Sequence, residues 1–482
     1  MIESRNYLLG LSAQEDEELD TLDISQAYMH APISKDTPTY VNQAPGLETV
    51  PLNAPNDANP DEYILQVHQA FNGLGIAGNL FYKYLREKLI KMKATPNKKD
   101  PALYCLYGRD IPFDKGYGPI AAHARILIGT HVDDFLTVNN NGLVKKYFRD
   151  QLSVSFPWRD TTGEKILGLQ VTKVPHGIQV SMEDYIDEFI ITNKLEYLTH
   201  AKVPLLASQD LEYRQQYILK CEDRGPIIQQ EQFEKIHGSL IYIAHATALE
   251  IKNVLRMLSP YTSEPTQILW DILLQVVRYL KHARADPVCY YNTSGDNQVS
   301  LMTDASHAME KNGYSTMGYA IHMFGGPIKT SSVNNHDVYQ HSYDAELEGL
   351  QRGIEATLLF KEIIEEYSPQ LPPTNVYNDN AAAVHFGNSE GSKPYKRHHV
   401  RTRVLMVQDE VRKGAFKLIH TPHKRLFTDI FTKASGEKKF KKFRELLKQG
   451  GKQEQVLTKG TNNRKKNKKI SWKSPLATWD RS

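Results

Sequence analysis

Cysteine is scarce: Cys105, Cys221 and Cys289 are the only three in 482 residues, widely spaced and without a CxxC pair. That excludes a disulfide framework and a cysteine-ligated structural zinc, and it fits a reducing compartment. Long apolar runs are missing too. None approaches the roughly 20 residues that span a bilayer, and the opening MIESRNYLLG lacks the basic-then-apolar order of a secretory signal. The expectation is a soluble, intracellular protein with no membrane partner. No internal repeat is present, which sets solenoids and propellers aside. What remains, 40% apolar and 24% charged residues, is an ordinary globular balance with length for roughly two to four domains.

Charge is segregated. The chain carries a net +3, but from Lys433 onward sixteen Lys and Arg stand against four Asp and Glu. That stretch holds +12 and leaves −9 for the first 432 residues. KKFKKFR (438–444) and RKKNKK (464–469) suit phosphate binding or a nuclear-import address, and equally a solvated, disordered tail.

Periodicity places the elements. PLNAPNDANPDE (51–62) reads as a loop, and FYKYLREKLIKMK (81–93) as a helix with Phe81, Leu85 and Leu89 on one face. IKNVLRML (251–258) and ILWDILLQVVRYLKHA (268–283) are helical in pattern, so the region from about 195 to 290 is mainly α. A mixed unit follows from about Asn297, with strands at 299–303, 317–324, 375–379 and 416–420 and a helix at 345–364. The fold class expected from this order is α+β.

ILIGTHVDDFLTV (126–138) sets two carboxylates, Asp133 and Asp134, between two apolar runs. Neighbours on a strand point to opposite faces, so the pair belongs at the tip of a hairpin, where the alternation breaks. Asp also favours turns for its own reasons, and the stretch read alone is as well explained that way. A functional pair needs company, because two divalent ions about 3.5 to 4 Å apart require several carboxylates from distant parts of the chain. Asp23 in TLDISQAY, followed five residues later by Tyr28, is one candidate. A second set lies in the C-terminal unit: Asp304 ends a strand, Glu346 opens a helix, Asp379 ends another strand, and Asp429 follows in FTDIFTK. Each has a local role available as a cap or dipole partner. Four together require cations or protons in compensation, and all-oxygen sites suit magnesium.

These motifs fall in an order that resembles the reverse transcriptase and ribonuclease H portion of a Ty/copia-type retrotransposon Pol polyprotein. LDISQAYMHAPI resembles the family's first palm motif, YVNQAPG the segment after it, and FNGLGIAGNLFY (71–82) its Tyr-Gly-Leu-Lys-Gln motif. HVDD occupies the place of the Tyr-Val-Asp-Asp hairpin, and ILGLQV (166–171) that of the Phe-Leu-Gly strand. FEKIHGSLIYIA (233–244) resembles the thumb-region helix, while TDAS, YDAELEG, YNDNAAAVHF and TDIFTK follow in the order of the family's nuclease.

The resemblance implies fingers and palm over 1–195, truncated at the N-terminus, a helical thumb or connection region over 196–296, a ribonuclease H-like domain over 297–433, and a basic, disordered tail over 434–482. It further implies that Asp23, Asp133 and Asp134 hold two Mg2+ (or Mn2+) ions for polymerisation, with Tyr28 crowding a ribose 2′-hydroxyl. Asp304, Glu346, Asp379 and Asp429 would hold a second pair for cleaving the RNA strand of a hybrid, with His423 aiding proton transfer or product release. Implied partners are an RNA template, a DNA primer, the RNA/DNA hybrid and deoxynucleoside triphosphates. The implied location is cytoplasmic, virus-like particles included, with nuclear access through the basic tail.

Departures concentrate in the first half. His131 stands in place of the family's Tyr, Gly75 and Ile76 in place of Lys and Gln, and EDEELD (15–20) is acidic where the family's longer fingers segment supplies Lys and Arg. In the second half, Arg401 stands where the family often has Asp. The expectation is therefore an RNA-directed DNA polymerase with fused ribonuclease H. The alternatives are a remnant that only cleaves hybrid, and a non-catalytic nucleic-acid binder held by its basic tail.

Overall fold

The computed structural model describes residues 2–448 except 37, 46–48, 52–53, 56–58, 113–116, 118, 220–228, 294–296, 308–312, 340, 369 and 390–397, and no side chain of 218–219, 336 or 398–401. Cys221, Arg401 and RKKNKK therefore lie outside what is described. Among the described residues no helix is long and apolar enough to cross a membrane.

The N-terminal half contributes strands β1 (Glu18–Ile24), β2 (Thr39–Asn42), β3 (Ile64–Val67), β4 (Thr95–Pro96), β5 (Leu103–Tyr107), β6 (Arg125–His131), β7 (Asp134–Asn139) and β8 (Trp158–Asp160). β2 and β3 form a separate ribbon; the others form an antiparallel sheet in the order β4-β5-β6-β7-β1-β8. Both faces of this sheet are covered, which is why its strands read as continuous apolar runs instead of alternating. Tyr104, Leu106, Ile126, Ile128 and Phe135 meet Phe81, Leu85, Val144, Phe148 and Leu152 of helices Ala77–Lys91 and Gly142–Ser155. On the other face, Leu103, Cys105, Leu127, Leu136 and Val138 join the core of an N-terminal helix, Ile2–Glu15.

That helix was not foreseen. It lacks an apolar stripe because it is buried nearly all round: Tyr7, Leu8, Leu9 and Leu11 are at most 1% exposed, and a Cβ on Gly10 would sit 2.4 Å from the Phe324 ring. Its polar groups are satisfied by distant parts of the chain. The Asn6 amide donates to the Ile328 carbonyl at 2.9 Å, Tyr7 bonds Ser368 at 2.8 Å, and Glu3 pairs with Lys329 at 2.6 Å.

A three-stranded sheet β11-β10-β9 joins β9 (Gln170–Val174) and β10 (Gly177–Ser181) to β11 (Val288–Tyr291), which arrives after the helices Gln230–Ala246, Lys252–Leu258 and Gln267–Ala283. The C-terminal sheet is mixed. β12 (Ser300–Ser306), β13 (Tyr314–Met323) and β14 (Gly326–Val338) are antiparallel, while β15 (Thr374–Asn378) and β16 (Phe416–His420) run parallel to β12, in the order β14-β13-β12-β15-β16. The α+β class is as expected.

The expected disordered tail from 434 is corrected by the helix Glu437–Lys448. KKFKKFR places Phe440, Phe443 and Leu447 on one side, and all three are at most 3% exposed. Lys448 pairs with the buried Glu250 at 3.0 Å, and Arg444 with Asp286 at 3.0 Å. The charge run is thus the solvated face and the anchoring ends of an amphipathic helix.

Candidate active sites

The palm carboxylates are positioned by hairpin geometry. β6 and β7 turn at Val132 and Asp133, with His131 and Asp134 as the last register pair. Val132 has φ +55°, a strained setting for a β-branched residue, which swings Asp133 out of the strand alternation. β1 lies on the other side of β7 with Asp23 directly opposite Asp134, and residues so paired project from the same face. The Ile24 amide continues the contact by donating to the Asp133 carbonyl at 2.9 Å.

Asp134 borders an apolar cavity of about 280 Å³ lined by Leu8, Leu136, Ile166, Tyr242 and Ala246. Burial there, with repulsion from Asp133 and Asp23, pushes its carboxyl up to about 6. A carboxyl raised in this way favours a nearby cation. Asp23 already has one: Arg159 Nε donates to its Oδ2 at 3.1 Å. Tyr28 packs edge-on against Phe81 at 6.2 Å between ring centres. EDEELD is not a free acidic lead. Glu15 and Glu17 face Arg125 at 3.3 and 3.6 Å, and Glu18 and Asp20 hold Lys145 at 2.5 and 2.9 Å.

The C-terminal carboxylates come closer. Asp379 follows the last residue of β15, while Asp304, expected to end its strand, lies two residues inside the end of the parallel neighbour β12, beyond the register that runs to Met302 and Tyr377. Glu346 lies in the second turn of helix Ser342–Ile364, which lies close to the sheet because of a small residue: a Cβ on Gly353 would sit 2.8 Å from Thr303 Cγ2. Similarly, Gly318 on β13 lets Phe431 approach, where a Cβ would sit 2.7 Å from that of Phe431. This carries Asp429 in beneath the sheet.

Ligand oxygens of Asp304, Glu346 and Asp379 lie within 4.8 Å of one another, the one such acidic, His or Cys trio among the described residues. Asp23, Asp133 and Asp134 do not close to that distance. Burial pushes Asp304 up to about 7, against the pull of Lys433 and aided by Asp429 and Asp379. Burial, then Asp304 and Asp379, drives Glu346 well above the usual carboxylate range. Three hard oxygen donors in mutual repulsion are a donor set suited to a divalent cation.

Asp429, fully buried, accepts from Lys433 at 3.1 Å and Lys439 at 2.5 Å, and His423 Nδ1 stands 3.0 Å from Asp429 and 3.9 Å from Asp379. So His423 bridges two of the site's carboxylates while remaining half exposed. Sequence reasoning missed three partners. Asn378 donates to Glu346 at 3.1 Å and to Thr303 Oγ1 at 3.0 Å, fixing the glutamate. Lys433 was visible in TDIFTK, one helical turn after Asp429. Lys439 was assigned to the tail and had no signal.

Residues 1–207 match the family described as "Reverse transcriptase (RNA-dependent DNA polymerase)". The "Retrovirus-related Pol polyprotein from transposon RE2" of Arabidopsis thaliana is 23% identical over 445 residues, which is 91% of this chain and 28% of that protein. A transposon Ty5-1 protein of Saccharomyces cerevisiae is 26% identical over 316 residues, 64% of this chain and 92% of its own. A solved foamy viral protease-reverse transcriptase in complex with RNA/DNA hybrid is similar over 83% of this chain and 43% of its own, at 11% identity and a TM-score of 0.41. The chain spans about 28% of the length of the RE2 polyprotein it matches. Residues 1–207 thus match the reverse transcriptase family model, and the chain is similar over most of its length to one portion of Pol polyproteins from Ty/copia-type transposons.

Proposed function

We propose that the chain is a retrotransposon-derived RNA-directed DNA polymerase with a fused ribonuclease H, working on an RNA template, a DNA primer and their hybrid, with deoxynucleoside triphosphates as the polymerase substrate. The observation that carries it is the convergence of Asp304, Glu346 and Asp379 from three separate elements, with Asp429 joined to Asp304 through Lys433, in a chain that also sets Asp23 opposite Asp134. Magnesium is the expected ion at both centres, held by Asp23, Asp133 and Asp134 in one and by the nuclease carboxylates in the other; when bound it supplies charge neutralisation and an activated oxygen for in-line displacement at phosphorus. The residues themselves orient and neutralise: Asn378 holds Glu346, and His423 stands between Asp379 and Asp429 to hold or pass a proton. The place of action is the cytoplasm, with nuclear access through the basic C-terminus.

A reading confined to hybrid cleavage has one observation in its favour, since the nuclease trio closes to 4.8 Å and the palm trio does not. Primer extension and hybrid degradation on one preparation separate the two, with Asp134→Asn and Asp379→Asn alongside. The proposal expects each substitution to abolish only its own activity. Absence of extension from every variant leaves the nuclease alone, and absence of both activities overturns the enzyme reading.

A further inference from the structure

Asp429 has no free oxygen. Its Oδ1 accepts from Lys433 at 3.1 Å and its Oδ2 from Lys439 at 2.5 Å, with His423 Nδ1 standing 3.0 Å from that Oδ2. Being 0% exposed, it has no solvent-facing lone pair to offer in their place. Lys433 also reaches Asp304 Oδ1 at 3.4 Å, so one ammonium sits between two carboxylates where a bridging cation would sit. Burial works against that charge, yet Asp304 and Asp429 hold the ammonium above the ordinary lysine range. By contrast, Asp304, Glu346 and Asp379 already present oxygens to a common point, with Lys433 only at its edge.

We propose that Lys433 and Lys439 are tethered cations of the nuclease centre, so that it takes up divalent ions in two unequal steps: first on Asp304, Glu346 and Asp379, and second only as the ammonium groups leave Asp429. The inference rests on the nuclease reading above and names two positioning residues for it.

Both lysines can leave without unfolding anything. Their side chains are 39% and 38% exposed, so a displaced ammonium swings into water. The helix bearing Lys439 stays docked through Phe440, Phe443 and Leu447 and through the Lys448–Glu250 pair. An ammonium hydrogen-bonded to a buried carboxylate is among the stronger charge-assisted contacts, and a second ion must replace it before it gains anything. The C-terminal helix is thereby part of the nuclease centre, and the second ion is the step it controls.

The test is a Mn2+ titration of the full chain, followed by electron paramagnetic resonance of the free ion, in an Asp134→Asn background that weakens the palm. One ion should bind first and a second at least about tenfold more weakly. Lys433→Met and Lys439→Met should each tighten the second ion by about tenfold, and Lys439→Met should leave the first unchanged, while Lys433→Arg keeps the parental gap. Asp429→Asn should remove the second ion only. Two ions of equal affinity in the parent, or Met variants that bind the second ion as the parent does, would overturn the inference while sparing the nuclease reading. If Asp304→Asn leaves every Mn2+ equivalent in place, the nuclease reading itself falls.

Discussion

Asp23 and Asp134 face each other as register partners on β1 and β7, yet Asp23 is held by the guanidinium of Arg159 at 3.1 Å. The two halves of the chain thus solve one electrostatic problem in the same way. Carboxylates brought together by folding repel, and each centre places a basic side chain against one of them: Arg159 in the palm, Lys433 and Lys439 in the nuclease. Arg159 is the more solvated, with 59% of its side chain exposed, and it shares itself with Glu164 at 3.2 Å. Its grip on Asp23 is correspondingly modest. Replacing it with Gln should tighten divalent-ion binding at the Asp23 site by up to about fivefold, an exposed pair being worth about 1 kcal/mol or less. Mn2+ titration in an Asp304→Asn background reads this out, and unchanged affinity would show that Arg159 does not compete for Asp23.

Gly75 and Ile76 stand where the related polymerases carry Lys and Gln, and the local backbone has room for both. A Cβ at Gly75 would meet nothing within 4 Å, and Ile76, at the start of helix Ala77–Lys91, is 49% exposed. The double substitution Gly75→Lys with Ile76→Gln should therefore leave stability within about 1 kcal/mol. It should raise primer extension by about tenfold or more if one polar contact to template or nucleotide is restored. Extension kinetics and thermal unfolding, measured together, decide the point. A stable variant with unimproved extension would show that these two positions do not limit primer extension.

How legible all this was in the sequence depended on whether burial left a pattern. Amphipathic helices such as Ala77–Lys91 announced themselves, as did strands ending in a lone Asp, because one face or one end stayed polar. Helix Ile2–Glu15 did not, since contact on every side erases periodicity. β14 was missed for a related reason: GPIKTSSVNNHDV is mostly polar, and its strand character comes from pairing along β13. The site carboxylates were found through motif order. Their partners were harder: Arg159 comes from a segment with no chemical signature, Asn378 and Lys439 lie in segments noted for other reasons, and only folding brings them to the acids they serve.

The helix Glu437–Lys448 carries a stability prediction of its own. Phe443 is 1% exposed, so Phe443→Ala should cost about 3–5 kcal/mol by lost transfer energy and the cavity left behind. Lys441→Ala on the solvated face should stay within about 0.5 kcal/mol. Urea unfolding of the two variants gives the comparison. Equal midpoints would mean that the helix is not docked as described and that the residues from 434 behave as the tail first expected.

Glu17 supplies a pH dependence whose sign can be worked out. Burial, with a hydrogen bond shared with Glu15, pushes its carboxyl up to about 7 from an ordinary 4.5, only partly offset by Arg125. Below about pH 4.5 the group is protonated in both the folded and unfolded chain and contributes no slope. Between about 4.5 and 7 the unfolded chain releases its proton while the folded one keeps it, so the folded state is penalised progressively as pH rises. Above about 7 both forms are ionised and the loss is complete, on the order of 3 kcal/mol. Glu17→Gln cannot titrate, and its stability relative to the parent should therefore climb across that interval and level off beyond it. Urea unfolding at pH 4.5, 5.5, 6.5 and 7.5 measures the difference. Parallel curves for parent and variant would show that Glu17 is ionised in the folded chain and that Arg125 outweighs its burial.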